Sequence, residues 1–257
     1  MNKSDKILIT GGSGFIGTNL VKFLLEKTNS KIFNIDKISY CSVPERFKDY
    51  INNNNYNFVK HDLTNLKKSR DLFNTIEPNY VINLASESHV DRSIDDPVNF
   101  VNNNNSIILN VLESLRNKKF LKKIINISTD EVYGGENDKP ATENNKIITN
   151  SPYSASKGFG DLISNAFFKT YNVPIINVHC CNNFGPYQFT EKFIPRSLYA
   201  IFTNSPIEIY GNGKNIREWI FVKDFCNALF LILKKGNIGE NYNIGSNNRL
   251  NNQKINQ

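Results

Sequence analysis

Thr10-Gly11-Gly12-Ser13-Gly14-Phe15-Ile16-Gly17 joins a short apolar run, Lys6–Thr10, to a stretch of helical periodicity, Phe15–Lys27. Gly11 allows a tight turn out of the strand, Gly14 lets backbone approach a ligand, and Gly17 lets the helix pack closely on the sheet. The helix N-terminus that follows offers free N–H groups and a partial positive charge to a pyrophosphate. Gly11, Gly14, Phe15, Ile16 and Gly17 are therefore the expected phosphate cradle. Spaced glycines alone are weak evidence, but these follow one strand and precede a helix and a second strand, Lys31–Asp36, that ends in an acid. Asp36 in that place accepts adenosine ribose hydroxyls and repels a 2′-phosphate, so the motif points to NAD rather than NADP.

Working outward, strand and helix patterns alternate. Strands are expected at Tyr56–Lys60, Tyr80–Leu84, Lys123–Ser128 and Ile175–His179, and helices at Thr64–Thr75, Pro97–Arg116 and Tyr153–Tyr171. Such βαβ alternation implies an α/β fold, a Rossmann-type doubly wound parallel sheet whose ligands bind at the carboxyl ends of its strands. Residues 1–183 form the expected NAD-binding domain. From Phe184 the pattern loosens around Pro186, Pro195 and Pro206, so 184–257 reads as a smaller, partial substrate lobe, with some exchange of segments between the two. Within it, Ile216–Val222 reads as a strand and Asp224–Leu233 as a helix. Asn247–Gln257 reads as a polar tail without a further element.

At 257 residues, 39% of them hydrophobic, the chain can bury a substantial core. No apolar run reaches the roughly 18–20 residues that cross a bilayer, and no signal-peptide pattern precedes Ile7. Cys41, Cys180, Cys181 and Cys226 lack metal-site or disulfide-framework spacing, and only three histidines are present. Reduced thiols in a cytoplasmic protein, with no metal centre, are the expectation. The formal charge of +7 is spread along the chain without a nucleic-acid-binding motif. It is either a solvated basic surface or a modest attraction for an anionic substrate. Asparagine runs at Asn52–Asn55 and Asn102–Asn105 suit an AT-rich coding genome; the second lies in an expected helix although Asn is a weak helix former.

Tyr153-Ser154-Ala155-Ser156-Lys157 sets a phenol and an ammonium one helical turn apart on the same face. A tyrosine is a poor base at neutral pH unless neighbouring cations favour its phenolate, which the lysine and a bound nicotinamide would do. The pair can then take a proton from a substrate hydroxyl as hydride leaves the same carbon. Upstream, Ser128-Thr129-Asp130-Glu131-Val132-Tyr133-Gly134 places two adjacent carboxyls beside a hydroxyl. Ser, Thr and Asp after a strand also serve as helix caps. Elimination of water, however, needs one group to remove a carbon-bound proton and another to protonate the departing hydroxyl, and two close carboxyls separate their pKa values accordingly. Asp62-Leu63 follows the third strand, at the adenine edge, where Asp62 could equally be a solvated turn residue. Leu84-Ala85-Ser86 ends the fourth strand, where small residues let a cofactor pass.

Together, Thr10–Gly17, Asn83–Asp91, Ser128–Gly134, Tyr153–Lys157 and Asn182–Phe189 resemble the nucleotide-diphosphate-glucose 4,6-dehydratases, extended short-chain dehydrogenases acting on dTDP- or UDP-glucose in pathways such as rhamnose synthesis. The similarity runs from residue 6 to about 247. The Thr-Asp-Glu triplet is its sharpest element: related epimerases carry apolar residues at the 130 and 131 positions, and related decarboxylases keep only the glutamate. The resemblance implies that Tyr153 takes the 4-hydroxyl proton while hydride passes from C4 to NAD, with Lys157 and Thr129 assisting. Glu131 then removes the C5 proton, Asp130 protonates the leaving C6 hydroxyl, and hydride returns to C6. It adds Lys37, Ser39, Ser88 and Asn183 to the NAD site. Ser88, Thr129, Asn182, Lys192, Tyr210, Arg217 and Asn243 are its substrate positions. On the residues alone, Arg217 is either a phosphate fork or a surface partner of Glu218 or another acid. Members commonly pair as homodimers through a four-helix interface, for which helices 97–116 and 153–171 are the candidates. This sequence departs from the family at Asn103, usually threonine, and at Ile107-Ile108, usually Gly-Thr. Members also continue well past residue 257, which implies a substrate lobe present here in shortened form and leaves open an NAD-binding remnant. The segment Asp36–Ser42 is closer to UDP-glucose dehydratases.

Overall fold

The computed structural model describes residues 4–42, 44–134, 140–207 and 216–251. The first half runs β1 (Lys6–Thr10), α1 (Phe15–Lys27), β2 (Lys31–Asp36), β3 (Tyr56–Lys60), α2 (Leu66–Ile76), β4 (Tyr80–Asn83), α3 (Val90–Asp95), α4 (Pro97–Leu115) and β5 (Lys123–Thr129). The second runs α5 (Pro152–Tyr171), β6 (Ile175–Cys180), β7 (Asn182–Phe184), α6 (Phe193–Phe202), β8 (Ile216–Phe221), α7 (Val222–Lys235), β9 (Asn241–Ile244) and β10 (Arg249–Asn251). Seven parallel strands pair in the order β3-β2-β1-β4-β5-β6-β9. The order reverses between β1 and β4, and that switch point opens the cleft.

Alternation along the strands feeds two cores. Ile7, Ile9, Ile125, Ile127, Ile176 and Val178 point to one face and meet Leu20, Leu24, Phe225 and Leu229 of α1 and α7. Leu8, Ile124 and Ile175 point to the other and meet Phe73, Val111, Leu112 and Phe167 of α2, α4 and α5. Burying each such side chain contributes roughly 1.5–3 kcal/mol.

A polar ladder crosses this apolar sheet. Thr10 Oγ1 donates to Asn83 Oδ1, Asn83 Nδ2 to Asn126 Oδ1, Asn126 Nδ2 to Asn177 Oδ1 and Asn177 Nδ2 to Asn241 Oδ1, at 2.7, 3.1, 3.2 and 3.3 Å. Each pair is also a register pair of neighbouring strands, so the ladder spans β1, β4, β5, β6 and β9 without slippage.

The C-terminal part departs from expectation. β10 lies within the stretch read as a structureless tail and pairs antiparallel with β8, which pairs parallel with β7 in a separate three-stranded sheet. Its polar residues carry no alternating apolar signal. The chain is turned back by the Glu218 carboxylate, which accepts from the Ser246 and Asn247 N–H groups, with Asn247 at φ 61°. α7 and β9 return to the large sheet. α2 starts at Leu66 rather than Thr64 because the Asp62 carboxylate draws both the N–H and hydroxyl of Thr64 into a turn, leaving Asn65 as the cap.

Asn126→Leu leaves the Asn83 amide and the Asn177 carbonyl unpaired in the sheet interior. It should destabilise the fold by about 2–4 kcal/mol in urea unfolding; a loss within experimental error would remove the ladder from the stability of the sheet.

Candidate functional site

The loop after β1 is built as its glycines require. Gly11 turns at φ 69°, and a Cβ there would lie 2.8 Å from the Ala85 backbone. A Cβ on Gly17 would strike the Gly11 carbonyl oxygen, whereas one on Gly14 would meet only that oxygen, at 3.4 Å, so Gly14 presents bare backbone to the cleft. Asp36 braces the loop: its carboxylate accepts from Ser13 N at 3.0 Å and Ile38 N at 2.7 Å. That second bond holds Ile38 at φ 59°, an uncommon conformation for a β-branched residue. Burial pushes the Asp36 carboxyl up, against the pull of these N–H groups.

A solvent-open cleft runs from this loop across the strand ends. Gly11, Gly14, Phe15, Ile16, Gly17, Asp36, Lys37, Ser39, Asp62, Leu63, Leu84, Ala85, Ser86, Ser88, Tyr153 and Lys157 all line it, so the sequence-derived cofactor positions converge on one surface. Lys192 joins them. Asn183 does not: its amide donates to the Cys181 carbonyl, and its Oδ1 is buried without a partner. The bare Gly14 backbone, the helix N-terminus and the acid at the end of β2 fit a dinucleotide. Asn103, the departure from the family pattern, accepts from Lys37 Nζ at 3.2 Å and so remains on the cofactor side.

Tyr153 and Lys157 face the cleft from α5, which is capped by a reciprocal Ser151–Ser154 box. Lys157 Nζ donates to the Ile127 carbonyl at 2.7 Å and to Ser86 Oγ at 3.1 Å. Burial opposes the activation of the phenol that the spacing suggests. Burial, then the Glu131 charge, pushes Tyr153 well above its ordinary range, with Thr129 as the opposing hydrogen-bond partner; burial also lowers Lys157.

Thr129 ends β5 and accepts from Glu131 N, closing the one-turn helix Asp130–Tyr133; the capping role and the carboxyl pair thus coexist. Thr129 Oγ1 also donates to Asp130 Oδ1 at 3.2 Å. Burial, reinforced by Glu131, pushes Asp130 from 3.8 up to about 6. Burial also raises Glu131, against Arg217 and Lys192. A second cavity next to the turn is lined by Asp130, Glu131, Arg217 and Asn243. Glu218 is engaged by backbone N–H groups, so Arg217 faces this cavity rather than pairing with it. Asn182 lies on β7 outside the lining of both cavities, and Tyr210 falls outside the described residues.

Some residues here were not anticipated. At the rim, Arg92 lies 3.7 Å over the Tyr40 ring, Tyr40 donates to Glu191 at 2.9 Å, and Phe189 packs edge-on against Tyr40 at 5.7 Å, bridging three segments. His61 lines the adenosine end. Asp161 sits eight residues after Tyr153 on the same helix face, a spacing that could have singled it out.

A parallel sheet in this order, with its glycine turn, its Tyr-x-x-x-Lys helix and its hydroxyl-bearing β5 end, defines an extended short-chain dehydrogenase/reductase. The chain belongs to the nucleotide-sugar 4,6-dehydratase family within that class: the family described as GDP-mannose 4,6 dehydratase matches residues 8–257. It is 40% identical over 256 residues to a probable dTDP-glucose 4,6-dehydratase of Sinorhizobium fredii, covering 96% of this chain and 73% of the relative. Against the dTDP-glucose 4,6-dehydratase of Haemophilus influenzae it is 41% identical over 251 residues, 94% of this chain and 74% of the relative. The crystal structure of a dTDP-glucose 4,6-dehydratase from Streptomyces venezuelae, with NAD bound, matches with a TM-score of 0.93 at 31% identity, over 98% of this chain and 79% of that one.

The raised Asp130 carboxyl carries a stability cost with a definite sign. Folding favours its protonated form, so its contribution is most favourable below pH 3.8 and is lost as pH rises through about 6. Asp130→Asn should therefore raise the melting temperature at pH 8, by the equivalent of about 2–3 kcal/mol, and leave it nearly unchanged at pH 3.5. Equal effects at both pH values in thermal melts would contradict this placement.

Proposed function

We propose that the protein is an NAD-dependent lyase, a nucleotide-diphosphate-glucose 4,6-dehydratase. The observation that carries this reading is the pair of partly buried carboxyls, Asp130 and Glu131, at the end of β5, lining the cavity that also holds Arg217. NAD would be held by Gly11, Gly14, Phe15, Ile16, Gly17 and Asp36 and would supply reversible hydride chemistry for the C4 and C6 positions. Tyr153 removes the 4-hydroxyl proton, with Thr129 and Lys157 holding that hydroxyl and the phenol in place. The resulting ketone acidifies the neighbouring C5–H, which Glu131 removes. Asp130 is largely protonated below pH about 6 and donates to the departing 6-hydroxyl. Ser88, Lys192, Tyr210, Arg217 and Asn243 are assigned to the nucleotide diphosphate; Asn182 and Asn183, which the resemblance places at the substrate and nicotinamide, lie outside the lining of both cavities and would have to act from behind it. Lys192 and Arg217 bring positive charge to the side where Glu131 lies.

We assign the substrate to the glucose nucleotides dTDP-glucose and UDP-glucose. The named relatives favour the first, and the Asp36–Ser42 segment favours the second. The product suits a route to 6-deoxy sugars such as rhamnose. Four unpaired thiols suit the cytoplasm, and among the described residues no helix is long and apolar enough to cross a membrane. Residues 1–183 are taken as the NAD-binding domain and 184–257 as the partial substrate lobe, with α7 and β9 exchanged onto the large sheet. A homodimer through the outer faces of α4 and α5 is supported by exposed Val98, Leu109 and Leu162. Sedimentation velocity showing a monomer at micromolar concentration would refute it.

With dTDP- or UDP-glucose, the purified protein should form a 4-keto-6-deoxy product detectable by its alkaline absorbance. Tyr153→Phe should slow turnover by about 10²–10⁴-fold. Epimerised substrate without loss of water, or no turnover of either nucleotide, would overturn the assignment.

A further inference from the structure

Behind the carboxyl turn lies a chain of polar groups ending at Asn243, whose buried members Ser128, Asp161, His179 and Tyr133 the proposed reaction does not use. Ser128 Oγ donates to Asp161 Oδ2 at 2.8 Å, and His179 Nε2 lies 3.0 Å from the same oxygen. His179 Nδ1 is 3.1 Å from the Tyr133 hydroxyl, which donates to Asn243 Oδ1 at 2.9 Å. Asn243 is oriented by its own amide donating to the Ala141 carbonyl at 3.1 Å. Asp161 and His179 are 2% and 3% exposed, deep enough for a lost partner to be felt in full.

The topology of this chain gives it a purpose. Ser128 immediately precedes Thr129, and Tyr133 ends the one-turn helix that begins at Asp130, so both ends of the turn reach one Asp161–His179 couple. Asp161 lies on α5, two helical turns beyond Tyr153. His179 lies on β6, in register with Ser128. His179 and Tyr133 also line the cavity that holds Asp130, Glu131, Arg217 and Asn243, so the couple touches the site rather than filling a remote part of the core.

We propose that Asp161 and His179 are positioning residues for the elimination step: acting through Ser128 and Tyr133, they clamp the two ends of the carboxyl turn to the helix that carries Tyr153. The inference rests on the dehydratase reading. The clamp fixes where Asp130 and Glu131 stand relative to the phenol and, through Asn243, relative to the substrate side. Oxidation at C4 uses Tyr153 and Lys157 on α5 and Thr129 at the end of β5, all outside the Asp130–Tyr133 turn, and tolerates a shift of the turn itself. Elimination, which needs two carboxyls aimed at adjacent carbons, does not.

Tyr133→Phe removes one hydroxyl while keeping the buried ring, and His179→Gln keeps a hydrogen-bonding side chain. In single turnovers of the NAD-loaded protein with dTDP- or UDP-glucose, both should leave the oxidation rate within about threefold of the parent. Loss of water and solvent exchange at C5 should fall by about 10–100-fold, the scale of a misplaced reacting group. Melting temperatures measured alongside identify a general loss of fold. Carbon NMR titration of the Asp130 carboxyl, which needs no turnover, should show its midpoint falling from about 6 towards the ordinary carboxylate range in Tyr133→Phe as the turn admits water. Unchanged elimination, or oxidation and elimination falling together, would overturn the inference, as would an unmoved Asp130 titration. A parent protein that turns over neither nucleotide defeats the dehydratase reading, and the titration then still decides whether the clamp positions Asp130.

Discussion

The amide ladder from Thr10 through Asn83, Asn126 and Asn177 to Asn241 is the interaction on which the rest of the structure depends. In an interior of low dielectric constant, each of these groups must meet its in-register neighbour or remain unpaired at a cost of about 1–3 kcal/mol. A slip of one residue in any of five strands breaks at least one rung. Side chains two residues further along a strand stay on the same face. Two residues beyond three of the asparagines, within β5, β6 and β9, stand Ser128, His179 and Asn243: the anchor of the carboxyl turn, its histidine clamp and the cavity residue that the clamp reaches. The rungs thus set the positions of the site before any of its own contacts are made. Thr10 ties in the phosphate loop as well, since its hydroxyl also accepts from Ala85 N at 3.2 Å.

A second principle governs charge. Four ionisable groups meet at the strand ends, and burial moves each towards its neutral form: Tyr153, Asp130 and Glu131 upwards, Lys157 downwards. The Tyr-x-x-x-Lys spacing suggests an activated phenolate, and burial pulls the phenol the other way, so its acidity depends on the charges placed beside it. Resting neutrality avoids the larger cost of several uncompensated buried charges.

What could be read from the chain divides along a physical line. The glycine loop, the apolar parallel strands and the tyrosine–lysine pair are local patterns, and they appear where the sequence places them. So do the two adjacent carboxyls, whose chemistry depends on being neighbours. The ladder was not legible, because asparagines tens of residues apart look like compositional bias until the sheet aligns them. β7, β9 and β10 are short and polar and take their strand form from pairing rather than propensity. Asp161 could have been found from its helical spacing to Tyr153. His179, one of three histidines, carries no sign of its role apart from the fold.

The bridge of Arg92, Tyr40, Phe189 and Glu191 over the cleft rim has a kinetic meaning. Its contacts are individually weak, a cation over a ring, one phenol–carboxylate hydrogen bond and an edge-on aromatic pair. They join three separate segments, so parting the rim breaks them together. For any molecule lying beneath, residence time is governed by how often that rim opens as well as by the strength of its own contacts.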